Sequence, residues 1–121
     1  MNIGFLYIET MAIPSKIARG SAALAILALL EEQPLYGFEI AKRIEERTGG
    51  SLRFTMASLY PMLYELEKRG QVKAQWEANP AGRDRRYYSL TPKGRKELEP
   101  LRHEWKEFFV ALDRLTGFGH A

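Results

Sequence analysis

At Gly70 the apolar rhythm of this 121-residue chain changes, and that change limits the folds open to it. Before it, Met56, Leu59, Leu63 and Leu66 recur at helical spacing through Thr55–Arg69, a buried stripe on one helix. After it, residues 71–76 alternate apolar and polar in steps of two, and residues 86–90 are rich in β-formers. Between these two stretches lies Asn79-Pro80-Ala81-Gly82-Arg83-Asp84-Arg85, turn chemistry laced with arginine. The pattern predicts a helix that feeds a two-stranded hairpin with a basic tip. The helix turns Ala57, Tyr60, Pro61, Tyr64 and Lys68 outward, with Ser58 on the flank. If Thr55 caps it, Pro61 sits beyond the first turn and forfeits a backbone hydrogen bond; if Ser58 caps it, Pro61 is tolerable. Both readings stay open.

Upstream, residues 21–30 are strong helix formers and apolar on nearly every side, so this helix should be covered on most faces. Pro34 stops it. A second helix is expected from Tyr36 to Arg47, burying Phe38, Ile40, Ala41 and Ile44, with Gly49 and Gly50 as punctuation. Lys42 and Arg43 read as part of its solvated face. Downstream, Thr91-Pro92 is an N-cap followed by proline at the first helical position. Along the last helix Leu98, Leu101, Trp105, Phe108, Leu112 and Leu115 recur at alternating spacings of three and four, an a/d seam that packs helix on helix. Pro100 interrupts it and should kink or split it.

Composition removes whole classes of chemistry. With no cysteine there is no disulfide, thiolate nucleophile or Cys-based zinc site, which suits a reducing cytoplasm. Two histidines, His103 and His120, do not make a metal site, and no cofactor is expected. His103 reads as surface and His120 as tail. There is no phosphate-cradling glycine loop and no nucleophile–base pair, so an enzyme is not expected. No run is long enough to span a bilayer, and the apolar start of the chain is a poor signal peptide. The net charge of +3 is too mild to imply a polyanionic partner by itself; the placing of the charge matters more.

Helix, helix, helix, basic hairpin, long helix is the layout of a winged helix-turn-helix with a dimerisation helix, mainly α with a small β-hairpin. We expect an N-terminal arm over 1–15, the winged helix domain over 16–91 and the C-terminal helix over 92–121. Such a domain lays its third helix in the major groove of double-stranded DNA while the hairpin brings arginines to nearby phosphates. Thr55, Ser58, Tyr60, Tyr64 and Lys68 of the helix and Arg83, Arg85 and Arg86 of the hairpin are the expected contacts. The amides beside Tyr36 at a helix N-terminus would join them. Thr55 and Ser58 serve equally well as caps, Tyr60 as partial core, and the Tyr36 ring as a cover on the core. A winged helix can also be a protein-interaction module, a reading the basic tip does not require.

Three ordered stretches carry a resemblance: Tyr36-Gly37-Phe38-Glu39-Ile40, the run Ser58–Gly70, and the run from Gly82 through Thr91-Pro92-Lys93-Gly94-Arg95. Together they resemble the PadR family of transcriptional regulators, and the single short C-terminal helix is similar to its smaller subfamily. The resemblance implies a homodimer on an inverted-repeat operator, usually a repressor, often released by a small molecule or a stress signal. It also implies that Trp105, with Phe108 and Phe109, lines a slot for flat aromatic effectors between two copies; plain interface packing is the alternative.

Overall fold

The computed structural model describes residues 15–82 and 84–118. Arg83, His120 and the expected arm short of Ser15 lie outside them. Seven elements follow in order: α1 (Ser15–Glu32), β1 (Leu35–Tyr36), α2 (Gly37–Arg47), α3 (Met56–Lys68), β2 (Val72–Glu77), β3 (Arg85–Leu90) and α4 (Pro92–Thr116).

Helix α1 is the axle. From Gly20 to Glu31 every residue is buried or half-buried, as its all-round apolar character demands. It packs against α2, α3, α4 and β3. Ile26 and Leu27 are fully buried beside Leu35, Ile40, Leu59, Leu63, Val72 and Leu98, so helix-turn-helix, sheet and α4 share one core.

The sheet is three-stranded where the sequence predicts two strands. Its order is β1-β3-β2, and all pairings are antiparallel. Leu35 and Tyr36 pair with Tyr88 and Tyr87, a bridge between segments far apart in sequence that no periodicity within two residues could announce. Alternation then sorts the faces. Leu35, Val72, Ala74, Tyr88 and Leu90 pack into or against the core. Tyr36, Gln75, Glu77, Arg85 and Tyr87 share the other face by their register.

Two junctions fix the helices. Thr55 is the N-cap of α3, its Oγ1 accepting the Ser58 N–H at 3.2 Å. Pro61 therefore sits inside the helix, and the Ala57 carbonyl loses its helical donor. Replacing Thr55 with alanine should cost about 1 kcal/mol of stability, measured by chemical denaturation. At the other junction Thr91 caps α4 through the Gly94 N–H at 2.9 Å, while its own hydroxyl donates to the Gly70 carbonyl at 2.6 Å. Lys93 Nζ reaches the Arg69 carbonyl at 2.6 Å, closing the end of α3 onto the start of α4.

Three expectations about the helices are corrected. Phe38 is not core: it is 50% exposed at the start of α2. Leu98 is not available to a partner, because it is wholly buried in the domain's own core, and Leu101 packs against that core half-buried. Pro100 does not split the last helix, since α4 runs unbroken through it to Thr116.

Candidate nucleic-acid interface

Helix α3 buries Leu59, Leu63 and Leu66 against the core and so turns its opposite side to solvent. Ala57, Tyr60, Pro61, Tyr64 and Lys68 are all exposed there. Tyr64, at 63% exposure, stands clear of the core. Tyr60 is less free: a Cβ on Gly37 would come within 3.2 Å of its ring and of its hydroxyl, so the phenol leans on the start of α2. Thr55 and Ser58 are engaged in the cap, with Ser58 Oγ donating to the Thr55 carbonyl at 3.1 Å and lying 3.0 Å from Thr55 Oγ1. Capping is the role this geometry gives their hydroxyls.

The hairpin arginines part company. Successive residues of a strand point to opposite faces, and Arg85 and Arg86 obey that rule. Arg85 lies on the outer face with its guanidinium 4.5 Å above the Tyr36 ring, a cation–π contact. It makes no ion pair among the described residues. The expectation that Arg86 projects from the turn beside it is corrected. Arg86 turns inward toward α3, where its Nη2 donates to both oxygens of Glu67, at 3.0 and 3.1 Å. Its guanidinium lies 5.7 Å from the Trp76 ring and 5.8 Å from the Tyr88 ring, and its Nε is buried without an acceptor among the described residues. Burial pushes the Tyr88 phenol up from its ordinary pKa, and the neighbouring Arg86 charge opposes the rise.

Tyr36 is a structural tyrosine through its ring. Its hydroxyl donates to Glu77 Oε1 at 2.6 Å, and its ring packs 4.7 Å from Tyr87 and 6.1 Å from Phe38. The hydrogen bond to the Glu77 carboxylate raises its pKa. Its backbone N–H donates to Glu39 Oε1 at 2.9 Å, so Glu39 caps the start of α2.

Between the α2 start, α3 and the hairpin runs a groove of about 450 Å³, walled by Phe38, Tyr60, Trp76, Arg85 and Arg86. Phe38 and Trp76 were not legible as functional residues. Trp76 alternates correctly onto the core face, yet it stands past the end of the core at 68% exposure. Its place one residue from the end of β2, beside the turn, was the available signal.

The far end of α4 is a second surface. Trp105 is half-buried against α1, where a Cβ on Gly20 would meet its Cζ2 at 2.9 Å. Phe108 and Phe109 crowd it, with ring centroids 5.9 and 5.8 Å away. Leu112 is half-buried, while Phe108, Phe109, Val110, Leu115 and Phe118 are exposed. A groove of about 460 Å³ runs beside them, lined by Leu24, Trp105, Phe109, Val110 and Phe118 among others. His103 is exposed as expected, 3.2 Å from Glu107.

Among the described residues no group of histidine and acidic side chains could hold a metal ion. No described helix is long and apolar enough to cross a membrane. The family model described as the transcriptional regulator PadR-like family matches residues 26–100. The chain belongs to the PadR-like family. A solved transcriptional regulator from Clostridium thermocellum is 31% identical, with a TM-score of 0.76 over 86% of this chain and 98% of that one. A PadR family regulator from Clostridium difficile is 28% identical, with a TM-score of 0.68 over 78% of this chain and 96% of that one. A protein of Lysinibacillus sphaericus is 35% identical over 99 residues, 82% of this chain and 91% of the relative. This PadR-like chain is thus a winged-helix, DNA-binding transcriptional regulator and not an enzyme.

Proposed function

We propose that two copies of this PadR-like chain bind an inverted-repeat operator in the cytoplasm and repress transcription from it. What carries the homodimer is the row Phe108, Phe109, Leu115 and Phe118. Phe108, Phe109 and Leu115 lie exposed on α4, whose first half is already sealed into the domain core, and Phe118 stands just past the end of that helix. A contiguous apolar surface of that kind marks an interaction site, and a two-fold partner would cover it with its own copy. Leu112 and Trp105 would join that seam; Leu98 and Leu101 serve the domain core. On the DNA side, Tyr64 and Lys68, with Tyr60 at the edge, would face the major groove. Arg85 and Arg83 would hold phosphates, and the amides at the α2 start would add a backbone contact. Thr55 and Ser58 would aim the helix by capping it.

Trp105, Phe108 and Phe109 would form the wall of an effector slot between the two copies, taking a flat aromatic compound by stacking. Trp105 already has α1 on one side, so the slot would use its remaining face.

Selection of bound sequences from a random duplex pool, followed by a salt titration of binding, tests the reading. A palindromic consensus with two half-sites is expected. Changing Arg83 and Arg85 to alanine should weaken binding to all duplexes and lower the salt slope by roughly one for each phosphate left unneutralised. An unstructured pool, or an unchanged slope, would remove the hairpin from DNA recognition and favour a protein partner.

A further inference from the structure

The Arg86–Glu67 pair joins two elements that the proposed function assigns to one duplex. Glu67 stands in the last turn of α3, and Arg86 is the second residue of β3. Both side chains are about one-third exposed, 35% for Arg86 and 30% for Glu67, at the seam between helix and hairpin. A strand joined only to its sheet could rock about the hairpin hinge, and the tip would then wander relative to α3. Here one Arg86 nitrogen holds both carboxylate oxygens while the guanidinium lies 5.7 and 5.8 Å from the Trp76 and Tyr88 rings. The cost of the arrangement is visible in the buried Nε that finds no acceptor among the described residues. A side chain reaching for a phosphate would instead be exposed and without an ion pair among the described residues, as Arg85 is.

We infer that Arg86 and Glu67 form a clamp that sets the spacing between the recognition helix and the hairpin tip. Arg86 is a positioning residue for DNA binding, not a phosphate contact. The inference rests on the proposal that helix and hairpin meet the same duplex. It gives Glu67 a counterintuitive role: an acidic side chain near a polyanion that strengthens binding.

The test compares wild type, Glu67→Gln, Arg86→Gln and the exchanged pair Glu67→Arg with Arg86→Glu, using a duplex taken from the selected pool. Folded fraction is checked by thermal unfolding, and Arg85→Ala serves as the phosphate-binding control. Glu67→Gln is expected to weaken binding roughly tenfold, the scale of one charge-assisted hydrogen bond. Its salt slope should match wild type, whereas that of Arg85→Ala should fall. The exchanged pair should recover most of the affinity, as coupled residues do. In the DNA-free protein, amide exchange across residues 79–85 should quicken in Glu67→Gln, a readout that needs no duplex.

Tighter or equal binding by Glu67→Gln, together with a lowered salt slope for Arg86→Gln, would make Arg86 a phosphate contact and overturn the clamp. Equally fatal would be unaltered exchange in the hairpin with the damage confined to thermal stability. If Arg85→Ala leaves the salt slope unchanged while hairpin exchange still quickens in Glu67→Gln, the clamp stands and the hairpin's DNA role fails.

Discussion

Replacing Gly94 with alanine lowers the stability of this protein by about 3 kcal/mol or more, the upper end of what overpacking a well-filled site costs. The reason is backbone, not side chain. A Cβ at Gly94 would stand 2.1 Å from the Gln71 carbonyl oxygen and 2.9 Å from its carbon. That carbonyl cannot retreat easily. It accepts the Thr91 N–H at 3.1 Å, and the Gln71 N–H is itself tied to the Leu66 carbonyl at 2.9 Å. Leu90 Cδ1, 2.8 Å from the same Cβ, closes the other side. Relief would require prising the start of α4 from the end of α3, where Lys93 and Thr91 bind the last carbonyls. A thermal melt should show a Tm lower by about 10 °C or more. A shift of only a degree or two would mean that this junction yields.

Replacing Phe108 and Leu115 together with glutamate should convert the proposed dimer to a monomer without unfolding the domain. Both side chains are exposed in the single chain, Leu115 at 83%, so neither is needed for its core. In a dimer they would face a second copy, and four buried carboxylates without partners would not be tolerated there. Operator affinity should then fall by about 10² to 10⁴, the advantage forfeited when two linked half-sites become independent. Far-ultraviolet dichroism should stay unchanged while light scattering reports half the mass. A variant that keeps its dimeric mass would show that some other surface brings the copies together.

Much of this architecture could be read in the residues because local signals and global packing agree. Thr91-Pro92, the stripe Leu59-Leu63-Leu66 and the alternation through residues 72–76 each specify an element without help from the rest of the chain. The misreadings have physical causes. Strand β1 is two residues whose partners, Tyr87 and Tyr88, lie some fifty positions away. Phe38 falls on the apolar stripe of α2, but it lies at the first turn, beyond the reach of the core. Leu98 and Leu115 belong to one a/d series, and spacing alone cannot tell a residue that meets its own domain from one left for a partner. For Arg86 the information was present. Arg85 and Arg86 are neighbours in a strand, so alternation already required them to point to opposite faces.

Trp105 resting on Gly20 has a mechanical consequence. The indole occupies the space that any side chain at position 20 would need, so helix α1 and the aromatic end of α4 meet without slack. Helix α1 in turn is the one helix on which α2, α3, α4 and β3 all bear. Helix α3, which carries Tyr64, is among the elements packed on α1, so the indole and the exposed face of α3 are joined through a single intervening helix.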